Sequence, residues 1–246
     1  MTWGFFSLLH IVSLLLASLI IVSLYFILKN KSERVKIIVL GILSFSGISA
    51  IIYNLVVWNS PLEYLPLHLC SLNAMMLPIA VFTKNKTINN LLLLWSLGAL
   101  LALVVNSAQA DYEIFSLTFA FYYFPHVLEF GIPILMFSLK LVKKDLKCIA
   151  STIGITFFSY TLIHFINLWV NSYAENNNVV DWAGNIIKVN YMYSLYPENP
   201  LLDLFYKIIP LPYWYMYLAI AVIILYLAFV YIGLIVKLIK NRKQSV

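Results

Sequence analysis

Charged residues are scarce in this chain of 246 residues. Asp, Glu, Lys and Arg make up 11% of it, whereas soluble domains carry about 25%. Hydrophobic residues make up 63%. This composition excludes a soluble domain and predicts a multi-pass membrane protein with short loops.

Cysteine is also rare. Cys70 and Cys148 are the two cysteines of the chain, and they fall near the starts of the third and sixth hydrophobic runs, on opposite predicted faces of the membrane. A disulfide between them is therefore not expected, and both are predicted to be thiols. The sequence also lacks a Gly-rich phosphate loop, the His and Cys spacing of a zinc site and an inverted repeat. We expect no metal and no cofactor.

Long hydrophobic runs dominate the rest of the sequence. A helix of about 20 apolar residues crosses a hydrocarbon layer of about 30 Å. The first run lacks a preceding basic region and a small-residue cleavage site, so we expect it to be retained as a helix. We predict an all-α integral membrane protein, a bundle of seven transmembrane helices forming a single domain over residues 1–246. The predicted spans are 4–28, 37–58, 66–82, 91–105, 116–139, 148–170 and 213–236.

The basic residues indicate the orientation of this bundle. Of the 16 Lys and Arg residues, Lys188 and Lys207 fall in the even loops, and all the others fall in the odd loops and the C-terminal tail. Basic residues concentrate on the cytoplasmic side of a membrane protein. We predict that the N-terminus lies outside and the C-terminus is cytoplasmic. The net charge of +6 is thus a topology signal, and no nucleic-acid partner is expected.

The loop before the last span contains a second kind of helix signal. Asn199 is a suitable N-cap, Pro200 suits the first helical position, and apolar residues follow at helical spacing from Leu201. This pattern predicts a short amphipathic helix in the outer membrane interface. The helix could be a simple anchor or could gate substrate entry.

Ionisable residues inside a span are costly, so each one indicates a possible functional site. The four histidines, His10, His68, His126 and His164, lie on four different predicted spans, in the outer half of the membrane or near its middle. This distribution predicts one shared polar pocket. For His10, hydrogen bonding between helices is an equally good interpretation.

Spacing on the sixth span supports that pocket. Tyr160, His164, Asn167 and Asn171 are four, three and four residues apart, which places them on one face of a helix. We expect this face to line the pocket.

Cys70 is the candidate nucleophile. His68 is two residues away, and such residues are separated by about 200° on a helix, so the two side chains point apart. The best base is His126, with Glu129 three residues on to orient it. A Cys–His pair makes a thiolate available for acyl transfer. If the third span begins at Pro66, Cys70 lies more than a turn inside it, where the helix dipole is weak.

Several motifs resemble a known family. They are "LPLHLCSL", "LGAL", "FYYFPHVLEFGIPI", "NYMY", "NPLLD" and "LPYWY", in this order between roughly residues 60 and 236. The combination resembles the YwaF-like bacterial integral membrane family, which is related to the eukaryotic transmembrane protein 164 family. The chain departs from that pattern after "LGAL", where Asn106 and Ser107 replace an expected Thr-Pro pair. This difference affects the loop before the fifth span and, with it, the choice of substrate.

The resemblance implies seven spans, a location in a bacterial cytoplasmic membrane and acyl chemistry on lipids. The eukaryotic relatives are similar to phospholipid acyltransferases that use a membrane cysteine, with more distant relatives that hydrolyse fatty esters. Carried over to this chain, the cysteine role falls on Cys70 and the histidine role on His126. His68, Asn190 and Tyr191 match the pattern without an assigned role.

These observations predict a phospholipid acyltransferase, transacylase or fatty-ester hydrolase whose partner is a membrane phospholipid or acyl lipid. Cys70 would attack the ester, His126 would be the general base and then acid, and Glu129 would orient it. The residues expected to bind substrate are His10, His68, Asn73, His164, Asn167, Asn190 and Tyr191.

Two other classes stay open. A transporter or ligand-binding membrane protein could use Glu129 and the histidines to bind a solute or carry protons. A structural or assembly factor would tolerate most substitutions in the pocket.

Overall fold

The computed structural model describes residues 1–105, 107–181 and 183–244, and it is helical throughout these ranges apart from loops and two isolated β-bridges. The prediction of an all-α fold is confirmed. The α-helices are α1 (Leu8–Leu28), α2 (Glu33–Ser44), α3 (Ser46–Val57), α4 (Leu69–Thr83), α5 (Lys86–Val104), α6 (Leu117–Ser138), α7 (Cys148–Asn177), α8 (Pro200–Ile208) and α9 (Ala219–Gln244).

Helix length separates one predicted span from the others. Within the described residues, six segments are long and apolar enough to cross a membrane: Leu8–Leu28, Glu33–Val57, Lys86–Val104, Leu117–Ser138, Cys148–Asn177 and Trp214–Lys237. The multi-pass architecture is confirmed. The third predicted run forms α4, whose 15 residues extend for about 22 Å. The count of seven spans and the membrane orientation therefore stay predictions.

Although α4 is short, polar contacts place its two ends at opposite ends of the bundle. Just beyond its last residue, Lys84 forms an ion pair of 2.5 Å with Glu33 at the start of α2. Seven residues before α4 begins, the Leu62 carbonyl accepts a hydrogen bond from the Tyr191 hydroxyl in the last long loop. The segment that precedes α4 thus contacts the last long loop.

The centre of the bundle is formed by α5 and α6. Their most apolar windows are 56% and 67% buried, compared with 11% for α7 and for the last candidate span. The outer helices thus expose most of their apolar side chains, as lipid-facing helices do. The central position of α6 brings His126 and Glu129 into the interior.

The short helix predicted before the last span is present as α8. The Asn199 side chain caps it by accepting hydrogen bonds from the backbone N–H groups of Leu201 (3.1 Å) and Leu202 (3.0 Å). Leu202 and Phe205 are buried, whereas the charged residues Asp203 and Lys207 are exposed. The amphipathic character agrees with the prediction, and its location in the membrane interface stays a prediction.

Candidate functional site

A cavity of about 100 Å³ lies between α3, α4 and α6. This volume is enough for several water molecules, since one needs about 10–15 Å³. The cavity brings together the three residues predicted to be catalytic, although they come from distant parts of the sequence. Its walls are formed by Gly47, Ala50, Ile51, Asn54, Cys70, Ser71, Ala74, Tyr112, Thr118, Phe121, Tyr122, Pro125, His126 and Glu129.

Cys70 lies in the first turn of α4. The helix begins at Leu69, and His68 is its N-cap with extended backbone angles (φ −70°, ψ 154°). Cys70 is therefore the second helical residue, and the expectation that it lies more than a turn inside the helix is wrong. The thiol therefore lies within the first turn, the part of a helix where the dipole is strongest.

The ring of His126 is held by its own helix. Its Nδ1 lies 2.6 Å from the backbone carbonyl of Tyr122. Because a carbonyl can only accept, Nδ1 carries the hydrogen and Nε2 keeps a free lone pair. The Tyr122 ring lies 4.4 Å from the imidazole, and its hydroxyl donates to the Ala102 carbonyl. The orienting role expected of Glu129 is thus performed by Tyr122.

Glu129 is only 3% exposed. Within the described residues, its Oε2 has no hydrogen-bond partner. Asn73 is buried next to it, and the Asn73 amide donates to the backbone carbonyl of Glu129 at 3.3 Å. The Oδ1 of Asn73 also lacks a partner in the described part of the chain. Asn73 is not part of the cavity wall, and its side chain contacts the backbone of Glu129.

Gly47 makes room for the carboxylate of Glu129. A Cβ added at this position would lie 2.7 Å from Glu129 Oε1 and 2.5 Å from the Cβ of Ala74. Both distances are shorter than real Cβ contacts. A side chain at position 47 would therefore displace either the carboxylate or α4.

We expect Gly47→Ala to lower the free energy of unfolding by about 1–3 kcal/mol, the usual cost of overpacking a core. Gly154→Ala is the matched control, because an added Cβ at Gly154 meets nothing within 4 Å. Thermal melting of both variants in the same detergent measures the difference. Equal melting temperatures for the two variants would contradict the close packing of Gly47 against Glu129.

The N-terminal segment holds one wall of the cavity. The backbone N–H of Trp3 donates to the Tyr112 carbonyl at 2.8 Å, and that of Gly4 donates to the Ala110 carbonyl at 2.7 Å. Trp3 itself is fully buried. These contacts fix the loop that carries Tyr112, a residue of the cavity wall.

His10 lies outside the cavity, and both of its ring nitrogens are used. Its Nε2 lies 2.8 Å from the Leu103 carbonyl on α5, and its Nδ1 accepts a hydrogen bond of 3.0 Å from the backbone N–H of Phe6. The ring also packs edge-on against Trp3. This arrangement is the hydrogen bonding between helices that was one of the two interpretations of His10.

The polar face of α7 contacts the last long loop instead of the cavity. Asn167 is fully buried; its amide donates to the Tyr191 carbonyl (2.8 Å) and to Ser194 Oγ (2.9 Å), and its Oδ1 accepts from the Tyr191 N–H (2.9 Å). The Nδ1 of His164 lies 3.0 Å from the same Ser194 hydroxyl. The shared histidine pocket expected from the sequence is therefore divided between separate places.

The remaining two residues of this face anchor the same loop. Asn171 forms two hydrogen bonds with the backbone of Val189, at 3.0 and 2.7 Å. The hydroxyl of Tyr160 donates to the Tyr213 carbonyl at 2.8 Å. The helical spacing correctly placed Tyr160 and Asn171 on one face of the helix. Both side chains bind backbone atoms of the protein.

We expect Asn167→Ala to destabilise the protein by about 2 kcal/mol, because it leaves buried backbone groups of the loop without partners. For a chain of this size, that corresponds to a fall in Tm of about 4–8 °C. Asn176→Ala, at an exposed position of the same helix, should leave Tm unchanged. A raised KM for lipid with an unchanged Tm would instead show that Asn167 binds substrate.

His68 packs against aromatic rings of the same loop. Its imidazole lies 5.6 Å from the ring of Tyr191 and 5.5 Å from the ring of Tyr193. His68 is not part of the cavity wall. It therefore joins the start of α4 to the loop, two residues from Cys70.

Asn190 ties the loop to itself. Its amide donates to the Tyr196 carbonyl and to the Glu198 carboxylate, both at 2.8 Å, and its Oδ1 accepts from the Leu195 N–H at 2.9 Å. Burial raises the pKa of the Glu198 carboxyl, and the hydrogen bond from Asn190 opposes that shift. All these partners are loop atoms, which gives Asn190 a structural surrounding.

Some cavity residues were not identified from the sequence. Asn54 carried a usable signal, because it is a polar residue within an apolar run. Tyr122 lies one helical turn before His126, a spacing that indicates proximity without indicating a backbone hydrogen bond. Tyr112 carried no signal, since its loop is placed by contacts with the N-terminus.

The chain departs from the family pattern at Asn106 and Ser107. Asn106 lies outside the described residues, and Ser107 begins a short 3-10 turn.

Both cysteines, Cys70 and Cys148, are free thiols, as the sequence predicted. The described residues contain no cluster of His, Cys, Asp or Glu suited to a metal ion.

Comparison with known proteins gives one finding. The model of the TMEM164 family matches residues 5–232. The matched range includes every residue of the cavity wall. No curated protein and no solved structure shows a match to the chain.

Proposed function

The chain belongs to the TMEM164 family, and we propose that it is a membrane enzyme of the YwaF-like bacterial type that transfers or hydrolyses fatty acyl groups of lipids. One observation carries this proposal: a cysteine in the first turn of a helix shares a cavity with a histidine whose Nε2 is free to accept a proton. A thiol beside such a base is the arrangement of an activated nucleophile.

The first chemical step forms an acyl-thioester. The thiol of Cys70 gives its proton to Nε2 of His126, and the sulfur attacks the ester carbonyl carbon. The negative charge on the carbonyl oxygen is stabilised by backbone N–H groups of the first turn of α4, which intrahelical bonds leave available. The C–O bond then breaks, and the departing alcohol takes the proton from His126.

The surroundings of the cavity support a lipid substrate. The side of α3 that includes Ile51 and Asn54 lines the cavity. On its other side, Ile52 is 57% and Val56 is 75% exposed, as residues that face lipid are. A single helix thus separates the cavity from the membrane, and the cavity itself has room for the ester group rather than for whole acyl chains.

Mass spectrometry of the intact protein tests this proposal. The purified chain is incubated with phospholipid vesicles, and we expect a mass increase of one acyl group that hydroxylamine removes and that maps to Cys70. Cys148→Ala is the matched control, because this buried cysteine lies at the opposite end of the bundle, and it should acquire the same adduct. An adduct at Cys148, or none on the wild-type protein, would contradict the proposal.

One observation favours a second candidate, a proton-coupled transporter or ligand-binding membrane protein. Glu129 presents a buried carboxyl group to the cavity, and its Oε2 has no partner in the described part of the chain. Such a group can bind a solute or carry a proton. This function predicts pH-dependent flux into vesicles that survives Cys70→Ala.

A further inference from the structure

The structure leaves Glu129 without the task that the sequence suggested for it. The Tyr122 carbonyl already binds Nδ1 of His126, and a second orienting group is not needed there. Glu129 nevertheless lines the same cavity as Cys70 and His126. Its role should therefore be sought in the cavity rather than on the imidazole.

The carboxylate needs a hydrogen-bond donor. The Glu129 side chain is only 3% exposed, and its Oε2 has no protein partner within the described residues. Buried polar groups are almost always hydrogen-bonded to protein or to ordered water. Oε1 lies beside Gly47. Because glycine has no side chain, the carboxyl group of Glu129 has room in the cavity wall. A donor molecule in the cavity would satisfy this group.

The chemistry of the second step identifies that donor. A nucleophile that cleaves the thioester must give one hydrogen to Nε2 of His126. If Glu129 also holds this nucleophile through a hydrogen bond, the nucleophile needs a second hydrogen. Water has two hydrogens, whereas an alcohol has one. The cavity of about 100 Å³ has room for water.

We infer that Glu129 holds the water molecule that hydrolyses the acyl-thioester on Cys70, so that the product is a free fatty acid. This inference rests on the proposed function. The water oxygen attacks the thioester carbonyl carbon while one proton passes to His126, and the other hydrogen stays on the water oxygen, hydrogen-bonded to Glu129. The C–S bond then breaks, and the departing sulfur takes the proton from His126.

A comparison of acylation with deacylation tests the inference. Glu129→Gln keeps the size of the side chain and replaces its carboxyl group by an amide. We expect the burst of acyl-enzyme at Cys70 to stay within about twofold of wild type, whereas steady-state release of fatty acid falls at least about tenfold. The acyl-enzyme should accumulate, as measured by intact mass.

Glu63→Gln is the matched control. Oε2 of Glu63 is also buried and lacks a partner in the described part of the chain, but Glu63 is not part of the cavity wall. This variant should release fatty acid at the wild-type rate. If Glu129→Gln slows the burst as much as the release, or slows neither, the inference is wrong.

A second measurement uses the wild-type protein and does not depend on the folding of a variant. In water enriched in ¹⁸O and with a lysophospholipid present, we expect one ¹⁸O atom in each released fatty acid. Acyl transfer to the lysophospholipid without labelled acid would overturn the inference and leave the proposed function intact. The absence of any burst on wild-type protein would instead overturn the proposed function.

Discussion

Replacing Cys70 by alanine is expected to lower lipid acyl turnover by on the order of 10³-fold or more, because the atom that forms the covalent intermediate is removed. The side chain lies in the first turn of α4 and borders a cavity, so truncation removes no large packing contact. Tm should therefore change little. Turnover is measured as acyl product per mole of purified protein in mixed micelles, at saturating lipid.

The other cysteine supplies the control for this experiment. Cys148→Ala removes a buried thiol from the start of α7 and should keep wild-type turnover. If Cys70→Ala kept turnover while both variants folded normally, Cys70 would not be the nucleophile. The absence of any acyl turnover on the wild-type protein would instead favour the transporter alternative, in which no covalent step occurs.

Replacing His126 by alanine is expected to lower the rate of acyl-enzyme formation by about 10²–10⁴-fold, the usual contribution of a general base. The thiol remains in the variant, but no group with a free lone pair at the same place takes its proton. The rate is measured in single turnover, by quenching and intact mass. The Cys70→Ala, His126→Ala double variant should lose no more activity than the worse single variant, because residues that act as one unit are not additive.

His164→Ala provides the histidine control. His164 pairs with Ser194 in the last long loop and is not part of the cavity wall. We expect its loss to lower Tm without a comparable change in the single-turnover rate. Equal losses of rate for His126→Ala and His164→Ala would mean that the two rings act in one site, as the sequence alone suggested.

The fate of the four histidines shows where sequence-based interpretation was limited. All four were grouped because each lies at a similar depth in a different predicted span. Depth is one coordinate, and it leaves open the direction in which each side chain points around the bundle. In the structure His126 lies in the cavity wall, whereas His10 binds α5 and His164 binds the last loop.

The polar face of α7 illustrates the same limit. The spacing from Tyr160 to Asn171 correctly predicted that these side chains share one face of a helix. The partner of that face was not predictable, because the loop residues that meet it have no periodic pattern. Backbone groups of Tyr191 and Val189 fill the positions where a substrate was expected.

Membrane class, helical content, the approximate positions of most spans and the capped helix at Asn199 all follow from residues near one another in the chain. Hydropathy and helical periodicity are local properties, so both could be determined from the sequence alone. His68 was excluded as the base for Cys70 because residues two apart diverge on a helix, but His68 is the extended N-cap of α4 and not a helical residue. The packing of the helices leaves His68 outside the cavity wall. That His126 and Glu129 share a cavity with Cys70, and that Gly47 leaves space for the Glu129 side chain, depends on how α3, α4 and α6 pack. These contacts join residues far apart in the sequence, and only the packing of the helices brings them into one cavity.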